Sequence, residues 1–187
     1  MGLIVVEATA IPDVKVVTPQ RLGDRRGFFS EVYNRRDFAA VGLDLEFVQD
    51  NHSLSGEAGT IRGLHFQRPP LAQDKLVRVV RGRILDVAVD IRRSSPTYGR
   101  HVAIELSAEN WRQLLIPVGF LHGFCTLEPN VEVVYKATNY YSAEHDGGVA
   151  WNDPDLAIAW PPLAAHAILS QKDASLPRLS ELPVYFE

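Results

Sequence analysis

The sequence predicts an all-β protein, a sandwich or barrel of short antiparallel strands. Apolar and polar residues alternate with a period of two through most of the chain. Turn residues recur roughly every ten positions, a spacing typical of sandwiches and barrels. Strand patterns do not alternate with helix patterns, so a parallel sheet is not expected.

The first part of the chain has strand patterns at residues 14–18, 27–33, 47–55 and 60–67. One short helix is predicted at residues 34–42, because Asn34 is a good N-cap and Gly42 a good C-terminal stop. Residues 75–92 contain two alternating runs on either side of Arg81 and Gly82, which predicts a hairpin.

In the second of these runs the apolar residues from Leu85 to Ile91 occupy every other position, and Asp86 and Asp90 face the opposite way. The remaining strand patterns lie at residues 100–107, at 112–127 with a corner at 117–119, at 131–141 after a turn at 128–130, and at 147–162.

Length and composition indicate one domain over residues 1–187, long enough to bury a core without disulfide bonds or structural metals. The single cysteine, Cys125, excludes an intramolecular disulfide and a cysteine-based zinc cluster, and it fits a reducing compartment. The net charge of −4 comes without a basic tract, so nucleic acid is not an expected partner. No apolar run approaches the ~20 residues of a membrane span, and the N-terminus has no basic leader. We therefore expect a soluble cytoplasmic protein.

A metal site is not expected from the histidine spacing. Metal-binding double-sheet domains often place a close histidine pair on one strand, but none of the six histidines has an HxH or HxxH partner. Position 67, two after His65, is glutamine. His65 and His122 can still meet in space, but two ligands make a poor site.

Covalent catalysis is not indicated either, since there is no GxSxG elbow and no glycine-rich phosphate loop. Acid–base chemistry with anion binding remains. Its candidates are His65, His122, Lys75, Tyr135, Tyr140, Tyr141, Asp173, Arg26 and Arg62. Each of these alone is more often a packing, capping or surface residue, so single residues leave the question open.

Eight segments taken together resemble the dTDP-4-dehydrorhamnose 3,5-epimerase family, in that family's order and spacing. They are RRGFFSE (25–31), FVQDNHS (47–53), IRGLHFQ (61–67), QDKLVRVVRGRILDVAVDIR (73–92), IPVGFLHGF (116–124), VVYKATNYY (133–141), WNDPDLAIAWP (151–161) and SQKD (170–173). The resemblance covers about residues 4 to 180. It implies a cupin-type double-stranded β-helix, or jelly roll, with a few short peripheral helices.

The resemblance also implies roles. His65 is the expected general base, Asp173 its hydrogen-bond partner, Tyr135 the acid on the other side of the sugar, and Lys75 the group near the enolate oxygen. Tyr141 is expected to stack on thymine. The residues expected to bind the dTDP-sugar are Arg26, Glu31, Gln49, Asn51, Arg62, His122, Glu144 and Lys172. Neither metal nor cofactor is implied, and the family's assembly is a homodimer with exchanged N-terminal strands.

Three departures from the family pattern are Phe66 in place of tyrosine, Leu121 in place of alanine and Ala143 in place of proline. None replaces the base, the acid or the lysine. Strict alternation puts Arg62 on the face opposite His65. Arg62 can then serve the same ligand only through a bulge at Gly63 or from a neighbouring subunit.

Three other functions stay open at this point. An epimerase acting at C3 alone would use the same residues. A metal-dependent cupin enzyme would need the absent histidine pair. A sugar-binding jelly roll would not need His65, Lys75, Tyr135 and Asp173 together.

Overall fold

The computed structural model describes residues 4–187, so the first three residues of the predicted domain lie outside it. Within this range the chain forms thirteen strands, one α-helix and three short 3₁₀ helices. The strands are β1 (Ile4–Ala8), β2 (Lys15–Pro19), β3 (Leu22–Asp24), β4 (Gly27–Phe29), β5 (Gln49–Ser55), β6 (Ile61–Gln67), β7 (Lys75–Arg81), β8 (Arg83–Asp90), β9 (His101–Ser107), β10 (Gln113–Ile116), β11 (Phe120–Thr126), β12 (Val131–Ala137) and β13 (Asp146–Gly148). Helix α1 spans Arg35–Ala40, and the 3₁₀ helices span Pro162–His166, Asp173–Ser175 and Leu179–Glu181.

The strands form two facing antiparallel sheets and a separate hairpin. One sheet has the order β1-β2-β10-β7-β12-β5, the other has the order β13-β6-β11-β8-β9, and β3 and β4 make the hairpin. Consecutive strands such as β7 and β8, or β10 and β11, lie in different sheets. The chain therefore crosses between sheets at its corners, as in a jelly roll. The predicted all-β fold class is confirmed.

The main core lies between the sheets, where Val77 and Val133 of one sheet pack with Ala88 and Phe124 of the other. A second core covers the outer face of the five-stranded sheet, where the C-terminal segment supplies residues such as Phe186. Both faces of β8 are therefore buried, and Asp86 and Asp90 point into the space between the sheets with no exposed surface.

The predicted hairpin at Arg81 and Gly82 is wrong. Strand β7 pairs with β10 and β12, whereas β8 pairs with β11 and β9. Gly82 instead makes the corner between sheets, with φ +78°, and a Cβ there would lie 2.8 Å from Val131 Cγ2. The local turn signal marked the end of a strand but carried no information on which sheet the next strand joins.

The helix prediction is confirmed at both ends. The Asn34 side chain accepts a hydrogen bond from the Arg36 N–H at 3.0 Å, and Gly42 follows the helix with φ +84°. Several strand predictions differ from the structure. β1 and β3 were not predicted, the 27–33 pattern is strand only over β4, and the 147–162 segment is mostly turns after β13. No helix within residues 4–187 has the length and apolarity to cross a membrane.

Candidate active site

Two histidine–carboxylate pairs lie side by side on the inner face of the five-stranded sheet. His65 of β6 and His122 of β11 are cross-strand partners. His65 Nε2 lies 2.5 Å from Asp173 Oδ1, and His122 Nε2 lies 2.7 Å from Asp86 Oδ1. The His65 side chain is 28% exposed and that of His122 is 8% exposed, so His65 is the more accessible of the two histidines.

Asp173 reaches His65 from the 3₁₀ helix that follows the long C-terminal connection. Burial by itself would raise the pKa of this carboxyl, but hydrogen bonds from His65, Ser170 and the Gly63 N–H hold the pKa below its ordinary value. A carboxylate only accepts, so the proton between the two groups belongs to His65 Nε2. The other ring nitrogen, Nδ1, is then the basic one.

Tyr135 of β12 and Lys75 of β7 face these pairs from the six-stranded sheet. Burial and the nearby Asp146 raise the pKa of Tyr135, with Arg62 acting in the opposite direction, so the phenol stays protonated at neutral pH. Burial lowers the pKa of Lys75 to about 8, against the stabilising charges of Asp146 and Asp86. The Lys75 ammonium lies 6.0 Å from the centre of the Tyr135 ring. A histidine–carboxylate pair on one wall thus faces a tyrosine and a lysine on the other.

A bulge in β6 explains how Arg62 joins the same face as His65. His65 pairs with His122 and Arg62 with Phe124, so three steps along β6 match two along β11. The Arg62 guanidinium then reaches Ser55 Oγ at 3.1 Å and lowers the pKa of Tyr135. Of the two explanations considered for Arg62, the bulge is confirmed.

The bulge depends on close contact between two glycines. A Cβ on Gly63 would lie 2.5 Å from Gly123 Cα, and one on Gly123 would lie 2.8 Å from the Arg62 carbonyl oxygen. Only glycine at both positions lets the two strands approach this closely.

Tyr141 lies at the rim of the pocket, the space between these two walls, and is 61% exposed. Its backbone N–H donates to Gln49 Oε1 at 2.9 Å, and its hydroxyl donates to Asp146 Oδ2 at 3.1 Å. Lys172 also donates to Asp146 Oδ2, and Gln49 Nε2 donates to Asn51 Oδ1 at 3.0 Å. The ring is therefore held at its base and its hydroxyl while its face stays open.

Three of the predicted binding residues make their contacts elsewhere in the chain. Arg26, on the β3–β4 hairpin, bonds to Asp24 and is 84% exposed. Glu31 accepts from Asn34 Nδ2 at 2.7 Å. Glu144 is exposed, and its backbone carbonyl accepts from Arg68.

Sequence reasoning missed three residues that shape the site: Asp86, Asp146 and Gln67. The buried Gln67 amide accepts from the Ser142 N–H at 2.8 Å and donates to the Tyr140 carbonyl at 2.8 Å, so it fixes the backbone on both sides of Tyr141. Asp86 could have been found from the sequence, because alternation places this charged residue on the face of its strand opposite the apolar residues. Asp146 sits in a loop-like EHDGG stretch that gives no such signal.

Across residues 4–187 no group of three or more His, Cys, Asp or Glu side chains is arranged to hold a metal ion. The jelly roll thus carries a histidine–carboxylate pair on one wall and a tyrosine with a lysine on the other, an arrangement suited to acid–base chemistry on a ligand held between the sheets.

Comparison with known proteins gives the family. A sequence model described as dTDP-4-dehydrorhamnose 3,5-epimerase matches residues 8–181. A protein of that name from Sinorhizobium fredii is 51% identical over 97% of this chain and 92% of its own length. The chain therefore belongs to the dTDP-4-dehydrorhamnose 3,5-epimerase family, a family of isomerases.

Solved structures agree with this assignment. The dTDP-4-dehydrorhamnose 3,5-epimerase from Bacillus anthracis, with TDP and PPi bound, is 53% identical with a TM-score of 0.91, covering 94% of this chain and 99% of that one. The dTDP-6-deoxy-D-glucose-3,5-epimerase from Legionella pneumophila, in complex with dTDP-4-keto-L-rhamnose, is 42% identical with a TM-score of 0.92, covering 97% and 95%. The cupin-type jelly roll is thereby confirmed.

Proposed function

We propose that this chain inverts C3 and C5 of dTDP-4-keto-6-deoxy-D-glucose to give dTDP-4-keto-L-rhamnose, for dTDP-L-rhamnose biosynthesis. It would act as one epimerase domain in the cytoplasm. The free thiol of Cys125, which is buried, supports this location, because thiols stay reduced there. The observation that carries the proposal is the opposition of the His65–Asp173 pair to Tyr135 across the pocket, with Lys75 beside the tyrosine.

The chemistry needs this opposition. C3 and C5 both flank the C4 ketone, so a base can remove either proton and leave an enolate. His65 Nδ1 takes the proton, and the Asp173 carboxylate stabilises the imidazolium that forms. The Lys75 ammonium stabilises the negative charge on the C4 oxygen. Tyr135, protonated at rest, returns a proton to the opposite face and so inverts the carbon.

The dTDP part of the substrate would lie at the rim and along one side of the pocket. Tyr141 stacks on thymine, and Arg62, Gln49, Asn51, His122 and Lys172 bind the diphosphate and sugar. Asn51 supports this assignment, because its buried Nδ2 has no hydrogen-bond partner among the described residues and can donate to a ligand oxygen.

A homodimer with exchanged N-terminal strands would bring Arg26 and Glu31 to the partner's pocket. The hairpin that carries Arg26 supports this, because Leu22, Phe28 and Phe29 are 55%, 51% and 69% exposed on it. The test mixes Arg26→Ala and His65→Ala proteins under conditions that exchange subunits. If Arg26 serves the partner, mixed dimers contain one intact pocket and activity reappears. No recovery in dimers shown to be mixed would assign Arg26 to its own pocket.

The test of the reaction is NMR of dTDP-4-keto-6-deoxy-D-glucose with the enzyme in heavy water. The wild-type protein should incorporate deuterium at C3 and C5 with inversion at both. Incorporation at C3 alone would instead support the C3-only epimerase, and no incorporation would refute the proposed function.

Variants separate the base from the acid. His65→Ala should abolish deuterium uptake at both carbons. Tyr135→Phe should still exchange slowly with retention, while epimer formation falls on the order of 10²–10⁴-fold, the usual worth of one acid–base group. Tyr140→Phe is the matched control, because this neighbouring tyrosine is exposed at the rim and has no assigned role. Near wild-type epimerisation by Tyr135→Phe would move the acid elsewhere.

A further inference from the structure

The second histidine–carboxylate pair, Asp86 with His122, takes no part in the proton transfers described above. Asp86 has no exposed surface and lies on the inner face of β8. Its Oδ1 bonds to His122 Nε2, and its buried Oδ2 accepts no hydrogen bond from the described residues. A buried carboxylate that is only half satisfied is costly, so its presence calls for an explanation.

We propose that Asp86 is a positioning residue for the epimerisation, and this rests on the proposed function. Its Oδ1 holds the His122 proton on Nε2, so that Nδ1 faces the sugar as a hydrogen-bond acceptor for a hydroxyl group. Its second oxygen leaves a negative charge in the pocket that supports the ammonium form of Lys75.

The first part follows from hydrogen-bond chemistry. A carboxylate can only accept, so the shared proton sits on His122 Nε2 and the neutral ring has an unprotonated Nδ1. Nδ1 makes no hydrogen bond with any described residue. Because His122 is the cross-strand partner of His65, a sugar that reaches His65 is also within reach of His122. The substrate class carries hydroxyl groups next to the carbons that react.

The second part follows from the charges around Lys75. Val77 and Val79 of β7 share a core cluster with Ile84 and Ala88 of β8, so Lys75 and Asp86, which alternate onto the same faces, both point into the space between the sheets. In that space Asp146 and Asp86 favour the Lys75 ammonium and Lys172 opposes it, while the centre of the Tyr135 ring lies 6.0 Å from the ammonium. Burial lowers the pKa of Lys75 to about 8, so the loss of one nearby carboxylate increases the neutral fraction in the working pH range. A neutral amine stabilises an enolate far less than an ammonium does.

Asp90 offers a matched control four residues further along the same strand and face. It is equally buried, but its oxygens accept hydrogen bonds from Arg92, Ser95 and Thr97. Asp90→Asn therefore removes a buried carboxylate of the same kind, engaged in a different set of contacts.

The experiment measures kcat/KM against pH for wild type, Asp86→Asn and Asp90→Asn, with thermal unfolding to confirm folding. Asp86→Asn should lower kcat/KM by about 10–100-fold, as loss of a carboxylate that orients a functional histidine does in metal sites. The alkaline limb of the Asp86→Asn pH profile should move to lower pH, because Lys75 loses its proton more readily in that variant. Asp90→Asn should lower the unfolding temperature and leave the limb in place. A superposable profile for Asp86→Asn, or an equal shift in Asp90→Asn, would overturn the proposal.

A second measurement needs no change to Asp86 and no turnover. Nitrogen-15 NMR of histidine-labelled wild-type protein, with His122→Gln to assign the signals, reports which ring nitrogen carries the proton. The proposal expects a protonated His122 Nε2, and a bare Nε2 with the proton on Nδ1 would overturn it. Failure of the proposed function is seen separately, as absent deuterium uptake by the wild-type protein.

Discussion

Gly123→Ala tests whether the close approach of β6 and β11 sets the geometry of the site. Gly123 follows His122, and its missing Cβ faces the backbone of Arg62 and Gly63. An added Cβ would lie 2.8 Å from the Arg62 carbonyl oxygen, whereas ordinary contact begins at 3.4 Å, so the strands must separate by 0.6 Å. Both strands carry pocket residues, and the shift therefore reaches His65 and His122.

The expected cost has two parts. Overpacking of this kind destabilises a protein by about 1–3 kcal/mol. For a domain of this size each kcal/mol lowers the unfolding temperature by roughly 2–4 °C, so a fall of about 2–12 °C is expected. Displacement of reacting groups by a large fraction of an ångström should lower kcat/KM on the order of 10–100-fold.

The assay combines thermal unfolding with epimerisation kinetics, and Gly56→Ala is the control. Gly56 has no atom within 4 Å of its added Cβ and no left-handed φ, so alanine there should change neither quantity. Gly123 likewise has no left-handed φ, which isolates the steric effect. If Gly123→Ala matches the wild type in both measurements, the glycine contact does not position the site.

Two further predictions concern nucleotide binding and metal independence. Tyr141→Ala should weaken dTDP binding by about one to two orders of magnitude, since base–aromatic stacking contributes roughly 1–3 kcal/mol. Tyr141→Phe keeps the ring and should bind nearly as well as the wild type in calorimetry. Equal dTDP affinity in Tyr141→Ala would remove the stacking role. Dialysis against a chelator should leave epimerisation unchanged, because the proposed steps are proton transfers between side chains. Activity lost on dialysis and restored by zinc, iron or manganese would contradict this.

The sequence by itself determined the fold class, the single α-helix within residues 4–187 and the family. Alternation depends on which face of a strand meets the core, and a helix cap depends on a few neighbouring residues, so both can be predicted locally. Eight ordered segments led to the family, and with it to His65, Asp173, Tyr135 and Lys75, which the structure brings to one pocket.

Only the tertiary structure decided how the strands are shared between sheets. The Arg81–Gly82 turn predicted a hairpin, yet β8 joins the other sheet, because partner choice depends on pairing across long stretches of sequence. The register of β6 was left open for the same reason. The bulge that turns Arg62 toward the pocket requires Gly123, which lies 60 residues after Gly63 in the numbering, to be directly opposite.

The burial of Asp86 was decided in the same way. Alternation placed it on the face opposite Leu85 and Val87, and this orientation is correct. It could not show that both faces of β8 are covered, because the outer cover comes from the C-terminal segment around Phe186. The inner face is covered by the six-stranded sheet, so both faces of β8 lie in the interior of the molecule. Asp86 is then a buried charge beside His122, where the sequence alone had shown a polar residue in a strand.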